Sequence, residues 1–205
     1  MKIYTEKISN NLLSQKVEDG VSIFSTTEEN ITSWKGAFIL KKENIDLDEQ
    51  GLRNPQVGGI YSILSHWSCS TEIGTVVMPT GTGKTETMLS VLINEQIPKL
   101  LIIVPTDPLR KQISAKFITL GLLKTLGLVS DSIKYPVVGT IKSKFDTIEN
   151  ASNYFEKCNV LVATASILAR FTEEYIQVIK DNCTHILLMK HIIQKQILGQ
   201  NSEID

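Results

Sequence analysis

Eight consecutive residues, Met78-Pro79-Thr80-Gly81-Thr82-Gly83-Lys84-Thr85, combine two glycines with a lysine and three threonines at a spacing that suits phosphate chemistry. Gly81 and Gly83 let the backbone curl close to a ligand without Cβ clashes. With a helix starting at Lys84, several backbone N–H groups and a helix N-terminus converge on one point, an arrangement that holds a polyphosphate. Lys84 would reach the β- and γ-phosphates, Thr80 and Thr82 complete the turn, and the Thr85 hydroxyl would coordinate Mg²⁺. One position departs from the strict pattern: it opens with glycine, where this chain has Met78. The competing account is an ordinary glycine turn between a strand and a helix.

The elements that must position this turn are legible around it. Ile73-Gly74-Thr75-Val76-Val77-Met78 is short, β-branched and bounded by turn residues, which predicts a buried parallel strand. A helix is expected from about Lys84 to Glu95, a second strand at Leu100 to Val104 stopped by Pro105, and a helix from Pro108 to about Leu120. Further strands are expected at Tyr135 to Thr140, Asn159 to Thr164 and Thr184 to Leu188, with helices at Ser143 to Lys157 and Glu173 to Lys180. This alternation predicts an α/β fold with a parallel sheet flanked by helices. Residues 1–50 show weak periodicity and one apolar stretch, Trp34 to Leu40, and read as an accessory segment with one strand.

At 205 residues the chain can hold one sizeable α/β domain plus an appendage, short of two full domains. With 42% hydrophobic and 21% charged residues, a packed core is expected and disorder is excluded. A net charge of -1 gives no global attraction to nucleic acid, so any such contact must come from a local patch. The polar N-terminus, Met1 to Lys7, lacks the apolar core of a signal peptide, and no apolar run spans a membrane, so a cytoplasmic location is expected. Cys69, Cys158 and Cys183 are widely separated and lack metal-ligand spacing, which predicts reduced, partly buried thiols.

The order of motifs resembles that of superfamily-two helicases and translocases, specifically the DEAD/DEAH-like lobe shared with restriction-enzyme motor subunits. Leu52-Arg53-Asn54-Pro55-Gln56 looks like the family's adenine-side motif, with its proline displaced by one residue. The resemblance implies that Gln56, with Arg53 beside it, serves the base, while a polar helix cap is the competing account for Gln56. Met78 to Thr87 is similar to the family's first motif, including the methionine that broke the general pattern. Val104-Pro105-Thr106-Asp107-Pro108-Leu109-Arg110-Lys111-Gln112 looks like the next motif, which faces the nucleic-acid backbone. There Thr106 and Arg110 would hold phosphates without reading sequence; a solvated helix face is the competing account for Arg110 and Lys111. Val160 to Leu168 resembles the later strand-then-threonine motif, in which Thr164 would touch a backbone phosphate. The resemblance implies a RecA-like fold, ATP and Mg²⁺ as ligands, DNA or RNA bound independently of sequence, and a motor or nuclease subunit as partner in the parent system.

After the last strand the family places Asp-Glu-Ala-His, in which Asp holds Mg²⁺ and Glu activates the attacking water. This chain reads Met189-Lys190-His191-Ile192-Ile193-Gln194-Lys195-Gln196 instead. If the Leu188 codon ends in G, reading one base earlier turns the codons for Met189, Lys190 and His191 into Asp, Glu and, with suitable third bases, Ala and His. The shifted frame can continue as His-Thr-Glu-Ala-Asp-Thr-Trp. The expectation is a one-base insertion or deletion near codons 183 to 188, a tail resembling the motif by chance being the alternative, and the encoding nucleotides decide between them.

The expected organisation is therefore an accessory segment at 1–50, a helicase ATP-binding lobe at 51–188 and a polar, frameshifted tail at 189–205, ending before the second lobe. The expected function is nucleotide binding without catalytic carboxylates. Two other classes compete: a regulatory module that binds ATP or nucleic acid without turnover, and a phosphate-loop nucleotide kinase, which the motif order disfavours.

Overall fold

The computed structural model describes residues 1–189. The expected α/β architecture is present: a six-stranded mixed sheet, mostly parallel, with helices on both faces. In chain order the elements are β1 (Lys2–Ile8), β2 (Asn11–Val17), α1 (Thr27–Trp34), α2 (Asn54–Cys69), α3 (Lys84–Asn94), β3 (Leu100–Val104), α4 (Asp107–Thr119), β4 (Val138–Thr140), α5 (Ile148–Lys157), β5 (Val160–Thr164), α6 (Ala165–Leu168), α7 (Glu173–Asn182) and β6 (His185–Leu188). Across the sheet the strands lie in the order β1-β2-β4-β5-β3-β6, with β4, β5, β3 and β6 parallel.

The central strands are apolar on both sides because both sides are covered. Leu100, Ile102, Val104, Val160 and Val162 pack into the cluster that holds α3 and α4, whereas Leu101, Leu161 and Ala163 pack into the opposite cluster with α5 and α7. The period of two thus divides one apolar run between two cores. Helix α3 is the best covered, with eight of its eleven residues buried.

Residues 1–50 are more than an appendage. Where one strand was expected, two form, β1 and β2, and this hairpin extends the sheet by antiparallel pairing of β2 with β4. Trp34 closes α1, fully buried, with its Nε1 donating to the Lys134 carbonyl at 2.9 Å. A capping box starts that helix: Glu29 N–H donates to Thr26 Oγ1 at 3.1 Å and Thr26 N–H to Glu29 Oε2 at 3.2 Å. A buried polar network then ties hairpin, helix and sheet together. Asn30 Nδ2 donates to Asn159 Oδ1 at 2.7 Å, Val137 N–H donates to the same oxygen at 3.2 Å, and Gln15 Nε2 donates to the Tyr135 carbonyl at 2.6 Å. Every residue in it is buried, so its hydrogen bonds must be made internally.

The strand predicted at Ile73 to Met78 does not form. The segment is extended, but Ile73 is 99% and Val77 73% exposed, and among the described residues no ladder hydrogen bond reaches it. Strand composition suits a pleated surface only when a neighbour supplies the other half of the ladder. The segment instead runs along α2, with Gly74 against the His66 ring and Met78 Sδ against Gly59. The outer edge of β6 is likewise unpaired among the described residues, with Ile186 and Leu188 more than half exposed. Of the segment after this strand only Met189 is described, its N–H donating to the Ile103 carbonyl at 2.9 Å; the expected frameshifted tail lies otherwise outside the described residues.

Candidate functional site

Gly81 and Gly83 both adopt positive φ, at 81° and 90°, and turn the chain into the first turn of α3. Gly83 is the N-cap and offers no side-chain acceptor, so the first N–H groups of the helix have no capping partner. These orphan donors and the positive end of the helix dipole face the loop. Within it, Lys84 Nζ donates to the Pro79 carbonyl at 2.9 Å and Thr82 Oγ1 donates to the same oxygen at 2.7 Å. Thr80 and Gly81 are exposed, while Thr82, Lys84 and Thr85 are half-buried.

The upstream motif comes to this turn across the fold. Arg53 Nη2 donates to the Gly81 carbonyl at 3.1 Å. Gln56 is buried; its Oε1 accepts from Arg53 N–H at 2.8 Å, and its Nε2 points at the Gly83 carbonyl at a long 3.5 Å. Gln56 therefore caps α2 and braces the glycine turn at once. A Cβ on Gly83 would lie 2.1 Å from Gln56 Nε2, so any larger residue displaces that side chain in addition to straining φ. Met78, the departure from the strict pattern, fills the space over Gly59 of α2 and anchors the start of the loop.

The residues fit a polyphosphate: uncapped helix donors, two left-handed glycines and one lysine converge. For Mg²⁺ they offer one oxygen, that of Thr85. The carboxylate nearest along the chain, Glu86, is buried and paired with Lys116 of α4 at 3.4 Å. Among the described residues no group of three or more His, Cys, Asp or Glu could hold a metal. A magnesium ion here would take its remaining ligands from phosphate and water.

The residues expected to face nucleic acid separate. Thr106, the exposed N-cap of α4, makes no side-chain capping bond, and its hydroxyl has no hydrogen-bond partner among the described residues. Arg110 is turned inward, only 3% exposed; its Nη1 donates to the Ile141 carbonyl at 3.1 Å and pairs with Asp107 at 3.1 Å. Thr164 is 1% exposed, and its hydroxyl accepts from Ile167 N–H at 3.3 Å to cap α6. Both side chains are used within the protein, so the expected contacts of Arg110 and Thr164 with phosphate do not follow from their placement. Lys111, one residue on, is exposed.

Burial holds the thiols of Cys158 and Cys183 above the usual range, the latter at about 11, in keeping with inert structural thiols. Among the described residues, no helix is long and apolar enough to cross a membrane.

No curated protein matches the chain. A family model described as DEAD/DEAH box helicase matches residues 59–193, beginning just after Gln56 and taking in the glycine turn, Thr106 and Thr164. That match covers more than half of the sequence and agrees with the α/β sheet that carries the turn, so the chain belongs to the DEAD/DEAH box helicase family.

Proposed function

We propose that this chain is the ATP-binding first lobe of an ATP-dependent DNA or RNA helicase or translocase, and that in the present sequence it holds nucleotide without hydrolysing it. The observation that carries the binding half is the convergence of Arg53, Gln56 and Lys84 on the turn between Pro79 and Gly83. Lys84 exchanges the Pro79 carbonyl for phosphate oxygens, and the uncapped N–H groups of α3 take the remaining phosphate charge. Gln56 and Arg53 brace the glycine turn, and the family resemblance assigns Gln56 to the base. Thr85 would supply its hydroxyl to Mg²⁺, which when bound would neutralise phosphate charge.

The second half rests on residue type. Turnover in this family needs a carboxylate at the end of the strand here called β6 to activate water, and Met189-Lys190-His191 occupies that place. None of the three is a carboxylate, so the stretch supplies neither the acidic Mg²⁺ ligand nor the acidic water-activating group that the family uses.

Titration of a fluorescent ATP analogue with Mg²⁺ tests the site. Loss of the charge-assisted Lys84 contacts, about 1.5–3 kcal/mol, predicts roughly 10- to 100-fold weaker binding for Lys84→Ala. Unchanged affinity in that variant would remove the phosphate-loop role. Phosphate release stimulated by DNA or RNA in the purified chain would refute the absence of turnover.

A further inference from the structure

Glu86 is the carboxylate in the first turn of α3, the turn whose N–H groups face the phosphate loop. With Gly83 as N-cap it stands at the third helical position, from which a glutamate ordinarily folds back to accept from the N-cap N–H. A carboxylate folded back there would take a donor, and the positive end of the helix dipole, that a bound phosphate also needs. In this chain Glu86 points elsewhere. No side-chain bond caps α3, and Glu86 Oε1 accepts from Nζ of Lys116, in the last turn of α4, at 3.4 Å.

The surroundings hold that pair in place. Glu86 is buried and Lys116 half-buried. Beyond Lys116 the chain reverses through two successive residues of positive φ, Leu120 at 58° and Gly121 at 52°, and Gly121 N–H donates to the Lys116 carbonyl at 2.8 Å. A Cβ on Gly121 would lie 2.8 Å from Leu89 Cδ1 and 3.4 Å from Glu86 Oε1, so the reversal passes directly over the carboxylate. The end of α4 is thereby fastened to the first turn of α3, two residues past Lys84. A partly buried ion pair gives little net stability over an apolar pair of the same shape, so its consequence lies in where it puts the carboxylate.

We propose that Lys116 is a positioning residue for nucleotide: by holding Glu86 against α4 it balances that charge and keeps the first turn of α3 uncapped, so that phosphate takes the leading N–H groups; this rests on the phosphate-loop reading above. Lys116 acts only through Glu86. Released from it, the carboxylate repels the phosphates and competes with them for the helix N-terminus.

The test titrates the full chain with the fluorescent ATP analogue and Mg²⁺. One uncompensated charge about 10 Å from the phosphates, at an effective dielectric of about 20 and with salt screening, predicts roughly tenfold weaker binding for Lys116→Met. Lys116→Arg keeps the cation and should keep wild-type affinity. Lys116→Met/Glu86→Met, which replaces the pair with apolar side chains of similar volume, should return affinity to within about twofold of wild type. Glu86→Met alone should bind at least as tightly as wild type, because it removes the carboxylate and leaves the cation. A merely structural role for the pair predicts the opposite pattern, with Glu86→Met and the double variant both weakened. Either of those results, or unchanged affinity in Lys116→Met, overturns the role of Lys116 and leaves that of Lys84 standing. If the wild-type chain does not bind the analogue, or Lys84→Ala binds it equally well, the phosphate-loop reading itself fails and this inference with it.

Discussion

Gly83 and Gly81 form a matched pair for testing how the phosphate loop is braced. Both have positive φ, 90° and 81°, so alanine at either position costs about 1 kcal/mol in backbone strain. They differ in surroundings: a Cβ at Gly81 meets nothing within 4 Å, whereas at Gly83 it meets Gln56 Nε2 at 2.1 Å and Cδ at 2.8 Å. Gly83→Ala must therefore expel a buried glutamine that holds Arg53 N–H and faces the Gly83 carbonyl, a further loss of about 2 kcal/mol at about 1 kcal/mol per hydrogen bond. For a domain of this size, a total of about 3 kcal/mol lowers Tm by roughly 6–12 °C, against roughly 2–4 °C for Gly81→Ala. Thermal unfolding followed by circular dichroism reads the difference. Because Gly83→Ala already displaces Gln56, adding Gln56→Ala should cost about 2 kcal/mol less than the two single changes predict together. Equal effects of the two glycine substitutions, or strict additivity in the double variant, would refute the bracing role of Gln56.

Asn159→Ala strands Asn30 Nδ2 and Val137 N–H inside the protein and should lower unfolding free energy by about 2–4 kcal/mol in one cooperative urea transition; a shift below about 1 kcal/mol, or two transitions, would contradict the integration of residues 1–50 with the sheet. His185, packed against Trp67 with 4.8 Å between ring centroids and the ring planes tilted by 51°, has its pKa held below the ordinary 6.5 by desolvation, partly offset by Glu95. The unfolded chain then binds the proton more readily, so this contribution to stability is present above about pH 6.5 and is lost as pH falls through the folded pKa. His185→Phe should therefore flatten the decline of Tm on acidification; an identical pH profile in the variant would disprove it.

The parts of this protein written in its sequence are those that a short window contains. The glycine turn, the apolar strands β3 and β5 and the helices after them needed only local spacing, and they stand within a few residues of expectation. The hairpin β1–β2 escaped because neither strand alternates polar and apolar residues cleanly: β2 is buried along nearly all its length, with Ser14 and Gln15 bonded to partners outside the strand and Asn11 accepting there through Oδ1. Tertiary structure also decided the roles of side chains at the sheet edge. Arg110 and Lys142 are both cations near a strand end, but one is 3% exposed and bonded to a carbonyl while the other faces water. The segment Ile73 to Met78 has the composition of a strand and lacks a ladder among the described residues. Local pattern determines what a segment is suited to form. Whether it pairs, and whether a charge points inward or out, depends on the neighbour across from it, which lies outside any local window.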